Sequence, residues 1–156
     1  MERKITKEVR VGNVSIGGGS RISIQSMTNT DTLDKEATLK QVERLYRAGC
    51  DIIRIAIPTV EAADTIAYIK ERASDIPLVA DIHFDYMLAI EAIKSGADKI
   101  RINPGNIGSL ENVKKIIEVA KEYNIPIRIG VNSGSIEPSL IKKYGGPSIE
   151  AMLESI

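Results

Sequence analysis

The stretch Asp51-Ile52-Ile53-Arg54-Ile55-Ala56-Ile57 decides the fold of this chain, because its pattern returns twice further along. Side chains alternate between the two faces of a strand, so Ile53 and Ile55 point one way and Arg54 points the other. The same spacing of β-branched residues around one arginine occurs at Lys99-Ile100-Arg101-Ile102-Asn103 and at Pro126-Ile127-Arg128-Ile129-Gly130. The sequence therefore predicts three strands, each with an apolar face and an arginine on the opposite face.

A fourth run of this kind is Leu78-Val79-Ala80-Asp81-Ile82-His83, in which Asp81 and His83 share the polar face. Segments with apolar residues near helical period separate the runs. Strands that alternate with such helices are typical of a parallel sheet with crossover connections. The order is also repeated, because segment 49–55 aligns with segment 96–102. A repeated unit of two strands and two helices favours a (β/α) barrel.

The predicted fold is α/β: the N-terminal five β/α units of a TIM-like (β/α)8 barrel, preceded by a small β-hairpin at about residues 8–17 around Gly12-Asn13. A closed barrel needs eight strands and typically about 250 residues, whereas this chain has 156. We therefore expect residues 1–156 to be one partial barrel domain that binds substrate and ends inside a helix. An open five-stranded sheet is the alternative. In either case the strands at the two edges are unpaired, which favours self-association.

Capping residues and glycines predict the element boundaries. The first strand of the sheet is expected over residues 22–27, and the first helix over residues 33–48 with Thr32 or Asp31 as its N-cap. The later helices are expected over residues 58–73, from Asp85 to Gly96, from Ser109 to Tyr123, over 139–144, and after a cap at Ser148.

Composition excludes several classes of function. The 21 basic and 21 acidic residues balance, so there is no general electrostatic footprint for nucleic acid or for an anionic membrane. No run of apolar residues is long enough for a membrane span, and no signal peptide is recognisable, so the expected location is the cytoplasm. Cys50 is the single cysteine. It excludes an internal disulfide and cannot alone hold a metal ion or an iron–sulfur cluster.

The polar residues of the predicted strands point to an anion site. In parallel α/β proteins the site lies at the C-terminal ends of the strands. The residues expected there are Arg54, Asp81, His83, Arg101, Asn103, Arg128 and Asn132. Three inward arginines against one inward carboxylate leave an excess of positive charge, and a phosphate or diphosphate would balance it. Taken singly, an arginine is equally compatible with a structural salt bridge, the histidine with a core position, and the asparagines with turn chemistry.

The motifs that carry these residues closely resemble the hydroxymethylbutenyl diphosphate synthase family of the methylerythritol phosphate route to isoprenoids. The resemblance runs from near the N-terminus to the last residue. It rests on Ile24-Gln25-Ser26-Met27-Thr28-Asn29-Thr30-Asp31-Thr32, Ala80-Asp81-Ile82-His83-Phe84, Lys99-Ile100-Arg101-Ile102-Asn103-Pro104-Gly105-Asn106-Ile107-Gly108, Ile129-Gly130-Val131-Asn132-Ser133-Gly134-Ser135 and Lys143-Tyr144-Gly145-Gly146-Pro147.

The resemblance implies an oxidoreductase of isoprene biosynthesis. The family reductively opens 2-C-methyl-D-erythritol 2,4-cyclodiphosphate to 4-hydroxy-3-methylbut-2-en-1-yl diphosphate, with two electrons from ferredoxin or flavodoxin. It also implies a C-terminal domain that carries a [4Fe-4S] cluster on three cysteines and a glutamate, and a homodimer in which that domain covers the partner's barrel mouth. By motif, the residues that look like diphosphate ligands are Arg54, Arg101, Arg128 and Asn132. Asp81, His83 and Asn103 look like residues that orient the substrate, with Asp81 and His83 as catalytic candidates.

The sequence departs from the family in its extent. The remaining strands, a later lysine and the cluster domain have no counterpart among these 156 residues. We therefore expect an N-terminal piece of such an enzyme that has no reductive activity of its own. Two other hypotheses remain: a pterin-binding transferase of the dihydropteroate synthase type, which also holds a diphosphate at a barrel mouth, and a non-catalytic diphosphate-binding module.

Overall fold

The computed structural model describes residues 4–155, beginning with an antiparallel hairpin of β1 (Val9–Val11) and β2 (Val14–Ile16). A five-stranded parallel sheet follows, and its strand order is the order of the chain. Its strands are β3 (Gln25–Met27), β4 (Ile52–Ala56), β5 (Leu78–Asp81), β6 (Lys99–Ile102) and β7 (Ile127–Ile129). The helices are α1 (Lys35–Arg47), α2 (Val60–Arg72), α3 (Tyr86–Lys94), α4 (Leu110–Glu122), α5 (Pro138–Tyr144) and α6 (Ile149–Glu154).

The two faces of the sheet differ in chemistry, as the alternating pattern predicts. One face, which we call the outer face, carries isoleucine, leucine and alanine side chains that pack on the helices in one buried cluster. Ile53, Ile55, Leu78 and Ile100 of this face are fully buried. Burying such a side chain stabilises a fold by roughly 1.5–3 kcal/mol. The α/β class and the parallel sheet with crossover helices are therefore confirmed.

The opposite face, which we call the inner face, has an apolar lower part. Val11 of β1 packs with Ile52 of β4 and Val79 of β5 in a second buried cluster, against which Val14 and Ile16 also pack. Ile52 is the first residue of β4, so the hairpin covers the N-terminal part of the inner face. Arg54, Asp81 and Arg101 of the same face lie beyond that cover.

The first strand of the sheet is shorter than the predicted 22–27. Only Gln25–Met27 pair with β4 as a ladder, and Ile22 and Ile24 are exposed. Asp51 holds the chain just before the strand, because its carboxylate accepts a hydrogen bond from the Ile24 amide at 2.7 Å. The Ile24 carbonyl still accepts from the Ile52 amide at 3.2 Å, so the Asp51 side chain replaces a strand partner for the Ile24 amide alone.

The N-cap of α1 is Asp34, so the prediction of Thr32 or Asp31 is wrong. The Asp34 carboxylate accepts from the Ala37 amide at 2.9 Å. The Thr32 hydroxyl instead donates to the Ala56 carbonyl at 2.8 Å, across to β4. Asp31 accepts from the Leu33 amide in a turn. All three residue types are good caps, and the tertiary bond of Thr32 decides which one is used.

The predicted helix starts at Asp85, Ser109 and Ser148 are confirmed. The helix expected from residue 58 begins at Val60, and the one expected from residue 139 begins at Pro138. Thr59, Asp85, Ser109 and Ser148 cap α2, α3, α4 and α6 through their side chains. Short 3-10 turns at residues 104–106 and 133–135 follow β6 and β7. No helix within residues 4–155 has the length and apolar character needed to cross a bilayer.

Candidate functional site at the carboxyl ends of the strands

Strand register places the three predicted arginines on the inner face. Arg101 of β6 pairs with Asp81 of β5 on one side and with Arg128 of β7 on the other. Arg54 of β4 pairs with Val79, which precedes Asp81 by two residues and so shares its face. The side chain of Arg54 then reaches Asp81 directly. The three guanidiniums therefore belong to one surface.

Asp81 is the centre of this surface. Its carboxylate is almost completely buried, with 4% of the side chain exposed. Arg54 Nε lies 3.4 Å from Oδ2 and Arg101 Nη1 lies 3.3 Å from Oδ1. A buried carboxylate is costly unless it is paired, and here each oxygen has a guanidinium beside it. Asp81 therefore holds two cations in place at the carboxyl ends of the strands.

His83 is the third group on Asp81. Its Nε2 atom lies 3.3 Å from Asp81 Oδ2, while half of its side chain remains exposed. The ring of Phe84 stands edge-on to it, with ring centroids 6.1 Å apart. His83 is thus fixed at one end by a carboxylate and open to solvent elsewhere, which leaves the ring able to meet a ligand.

The position of Arg101 depends on a glycine. A Cβ atom on Gly130 would lie 2.8 Å from Arg101 Nε and 2.9 Å from Nη2. The guanidinium therefore lies directly over the backbone after β7, in space that any side chain would fill. The sequence places Gly130 on the face of Arg128, but only the structure shows that Arg101 occupies that space.

The two predicted asparagines lie in loops that touch each other. Asn103 is buried, and its Nδ2 donates to Ser135 Oγ at 2.6 Å. Asn132 accepts from the Gly134 amide at 3.0 Å and forms a capping box with Ser135. A Cβ on Gly105 would lie 2.6 Å from the Ser135 carbonyl oxygen. The loops after β6 and β7 are therefore packed into one rim, with ordinary turn hydrogen bonds inside it.

The polar loop after β3 is tied to the same end of the sheet by a residue that the sequence reasoning missed. Gln41 of α1 is buried, and its Oε1 accepts from the amides of Asn29 and Thr30 at 3.0 and 3.2 Å. Gln41 shares the buried side of α1 with Thr38 and Val42. The position of Gln41 on the buried face of the helix could have been predicted from the sequence, because it lies at helical spacing from the other buried residues.

Lys99 is the second residue that the sequence reasoning missed. It shares the inner face with Arg101, two residues on, and only 7% of it is exposed. Burial lowers the pKa of its ammonium, and the neighbouring cations Arg128 and Arg54 lower that pKa further. The alternation that assigned Arg101 to the inner face assigns Lys99 to it as well.

An apolar recess adjoins the cationic surface. It has a volume of about 420 Å³ and is lined by the residues that follow β4 and β5, including Pro58, Val60, His83 and Phe84. Pockets that bind small molecules are usually apolar with a few polar groups that fix orientation. His83 belongs both to this recess and to the Asp81 cluster.

An iron–sulfur cluster does not fit the residues of this chain. A four-iron cluster needs four ligands, typically cysteine thiolates. Cys50 is the one cysteine of the sequence, and the described residues contain no grouping of three histidine, cysteine or acidic side chains that could hold a metal ion. No step of the chemistry is therefore assigned to a cluster held by these residues.

The fold and the site together define a β/α-barrel domain with a cationic end. The profile of the GcpE TIM-barrel domain matches residues 6–156. The chain therefore belongs to the GcpE TIM-barrel domain family.

Curated relatives agree with this assignment. The 4-hydroxy-3-methylbut-2-en-1-yl diphosphate synthase (flavodoxin) of Caldanaerobacter subterraneus subsp. tengcongensis is 60% identical over 153 residues, which are 98% of this chain and 43% of the relative. The protein of the same name from Fusobacterium nucleatum is 59% identical over 155 residues, 99% of this chain and 43% of the relative. The chain thus spans less than half the length of these relatives.

A solved structure supports the fold only. The 7,8-dihydropteroate synthase from Vibrio fischeri ES114 superposes with a TM-score of 0.57 and 22% identity, over 96% of this chain and 63% of that chain. At that identity the likeness concerns the arrangement of strands and helices, and it carries no argument about ligands.

Proposed function

We propose that this chain is the substrate-binding barrel portion of a 4-hydroxy-3-methylbut-2-en-1-yl diphosphate synthase. The substrate proposed for its cationic end is 2-C-methyl-D-erythritol 2,4-cyclodiphosphate. The parent enzyme would open this ring reductively, with electrons from flavodoxin, the carrier in the relatives' names, or from ferredoxin. Family membership and the relatives' names support the reaction, and the charge of the inner face supports the ligand.

The observation that carries the proposal is the surplus of cations at one end of the sheet. Asp81 faces both Arg54 and Arg101. Arg128 lies beside Arg101 in register and makes no ion pair with any residue between 4 and 155. Because Asp81 is the single carboxylate that the described residues place among these three arginines, the cluster has a net positive charge. Guanidinium forks match phosphoryl oxygens in pairs, so a diphosphate is the ligand that the surplus fits.

The proposed roles follow from position. Arg54, Arg101, Arg128 and Asn132 bind the diphosphate, and Asn103 orients the substrate from the rim, where it is held by Ser135. Breaking a carbon–oxygen bond to a phosphate leaves negative charge on the phosphoryl oxygen, and fixed cations stabilise that charge without reorganising.

Asp81 and His83 are the proposed catalytic pair. Asp81 orients the two arginines and His83, and the open side of the His83 ring can donate a hydrogen bond or a proton to a substrate oxygen. The apolar recess beside His83 would receive the carbon skeleton of the ligand.

The electron-transfer half of the reaction is proposed to lie outside this chain. The [4Fe-4S] cluster of the parent would supply the electrons, and its ligands are not among these residues. We also propose a homodimeric assembly for the parent and a cytoplasmic location. Incubation of this chain with the cyclodiphosphate and reduced flavodoxin should give no diphosphate product by mass spectrometry. Turnover would contradict that part of the proposal.

Binding of the cyclodiphosphate tests the proposal directly. Arg128→Ala should weaken the affinity by roughly 10- to 100-fold, because a hydrogen bond to a charged group contributes about 1.5–3 kcal/mol. Arg128 has no ion-pair partner among the residues that the structure describes, so the melting temperature should stay close to that of the unchanged chain.

The matched control is Arg47→Ala, which removes an exposed arginine at the end of α1 that forms an ion pair with Glu43 of the same helix. Isothermal titration calorimetry on both variants gives the comparison. Equal affinity of the two variants would overturn the site. Binding of a pterin with no response to the cyclodiphosphate would favour the pterin-binding transferase instead.

A further inference from the structure

Lys99 has a largely buried side chain, and no acidic residue within positions 4–155 pairs with its ammonium. Strand register places it beside Val79, whose other neighbour is Arg54. No hydrogen bond or ion pair joins its ammonium to any residue in the described part of the chain, and the neighbours that act on it electrostatically, Arg54 and Arg128, are both positive. Most of the Lys99 side chain is removed from water and its neighbouring charges are positive, so an anion beside the ammonium would stabilise it.

The ammonium of Lys99 opens into a cavity. Within residues 4–155, the side-chain polar atoms that are both fully enclosed and without a hydrogen bond belong to Glu137 and Ser155. The Lys99 ammonium also lacks a hydrogen bond but is not one of these atoms. It therefore keeps some access to solvent, although the stem of the side chain is buried. The space it reaches has a volume of about 440 Å³. Its polar lining consists of Lys99, Arg128, Gln25 and Ser23.

The lining of this cavity is suited to an anion. Its two charged groups are both cations, its other polar groups are an amide and a hydroxyl that can donate, and it contains no acidic side chain. The rest of the wall is apolar and includes Ile16 of the hairpin and Ile52 of β4. An oxyanion would supply the counter-charge that Lys99 lacks.

We propose that Lys99 and Arg128, with Gln25 and Ser23, form an oxyanion site for a phosphoryl group on the inner face, set below the cluster around Asp81. Arg54 and Arg101 already face the Asp81 carboxylate, whereas Lys99 and Arg128 are the cations of this face that have no carboxylate partner within the described residues. This inference rests on the proposed function in one respect: Arg128 belongs both to this site and to the proposed diphosphate site. The new elements are Lys99 as a ligand and the expectation that inorganic phosphate alone binds there.

Titration with inorganic phosphate tests the site in the chain as it exists. Phosphate should shift the backbone amide resonances of Lys99 and Arg128 in two-dimensional NMR and raise the melting temperature. Lys99→Met keeps the length of the stem, removes the charge, and should weaken phosphate binding at least tenfold. Lys114→Met is the matched control, because Lys114 lies on the exposed face of α4, and its affinity should equal that of the unchanged chain.

Arg101→Ala separates this inference from the proposed function. Arg101 does not line the cavity, so this variant should lose affinity for the cyclodiphosphate and keep its affinity for inorganic phosphate. Equal phosphate affinity in Lys99→Met and Lys114→Met would overturn the site. So would an unchanged chain that shows no amide shift at Lys99 in phosphate, in which case the counter-charge of Lys99 is a carboxylate on another polypeptide segment. Lys99→Gln provides the same comparison if the methionine variant does not fold.

Discussion

At the scale of single residues, the site is built around one carboxylate among several cations. Asp81 is buried, and its two oxygens meet Arg54, Arg101 and His83. The pairing keeps the guanidiniums on the inner face instead of letting them turn toward bulk water. Position along a strand predicts which face each residue takes, but the distances that make Asp81 the common partner come from the packing of three strands.

Gly130→Ala is expected to damage the site without changing any charge. The added Cβ would stand 2.8 Å from Arg101 Nε, so the guanidinium must move or the strand must shift. Overpacking of this kind costs about 1–3 kcal/mol. We expect the affinity for the cyclodiphosphate to fall about tenfold, as measured by calorimetry.

A double-mutant cycle with Arg101→Ala provides the control for this prediction. If Gly130→Ala acts by displacing Arg101, it should cost little further affinity in the Arg101→Ala background. Additive losses in the double variant would show that the glycine acts through something other than Arg101.

At the scale of elements, the rim of the site is a set of loops held by side chains. Gln41 of α1 binds the loop after β3, and Asn103 after β6 binds Ser135 after β7. Each loop follows a strand of the sheet, and a few side-chain hydrogen bonds fix its position. The rim is therefore more sensitive to polar substitutions than its partial exposure suggests.

Ser135→Ala tests the link between the last two loops. It removes the acceptor of Asn103, whose side chain is buried, and an unsatisfied buried donor costs about 1–3 kcal/mol. We expect the free energy of unfolding in urea to fall by that amount, with weaker binding of the cyclodiphosphate. Ser133→Ala, at an exposed position in the same turn, should leave both quantities unchanged. Equal effects of the two substitutions would contradict a specific role for the Asn103 contact.

At the scale of the whole molecule, the sheet has two open edges. Within residues 4–155, β3 and β7 each pair with a single neighbouring strand. Apolar side chains beside these edges are exposed, with Ile22 77% and Ile129 48% accessible to solvent. Unpaired edges with exposed apolar side chains are surfaces on which chains associate.

We expect this chain to associate as its concentration rises, with the edges as the contact. Combining Ile24→Lys with Ile129→Lys should shift the mass measured by light scattering toward the monomer, since a lysine at an edge opposes strand pairing. Ile149→Lys is the control, because it introduces the same charge at an exposed position on α6, away from the sheet. A monomer at all concentrations for the unchanged chain would contradict the expectation.

The strands and their faces could be predicted from the sequence because side chains alternate between the faces of a strand every two residues, which is a local property of the chain. Runs around Arg54, Arg101 and Arg128 identified the strands, and Asp85, Ser109 and Ser148 identified helix starts. The first helix start was wrong because Thr32 is used for a bond to β4 and Asp34 caps instead. Lys99 shares the alternation of Arg101, so its face could have been predicted, whereas its lack of a partner could not.

The sequence by itself determined the α/β class, the alternation of strands and helices, and the face on which each arginine lies, because hydrophobic period and capping chemistry act between residues close along the chain. Only the tertiary structure decided that Asp81 pairs with Arg54 and Arg101, that Gly130 makes room for a guanidinium, and that no carboxylate from the described part of the chain pairs with Lys99. Those features depend on distances between separate strands, which are set by register and by the packing of the helices and the hairpin on the two faces of the sheet.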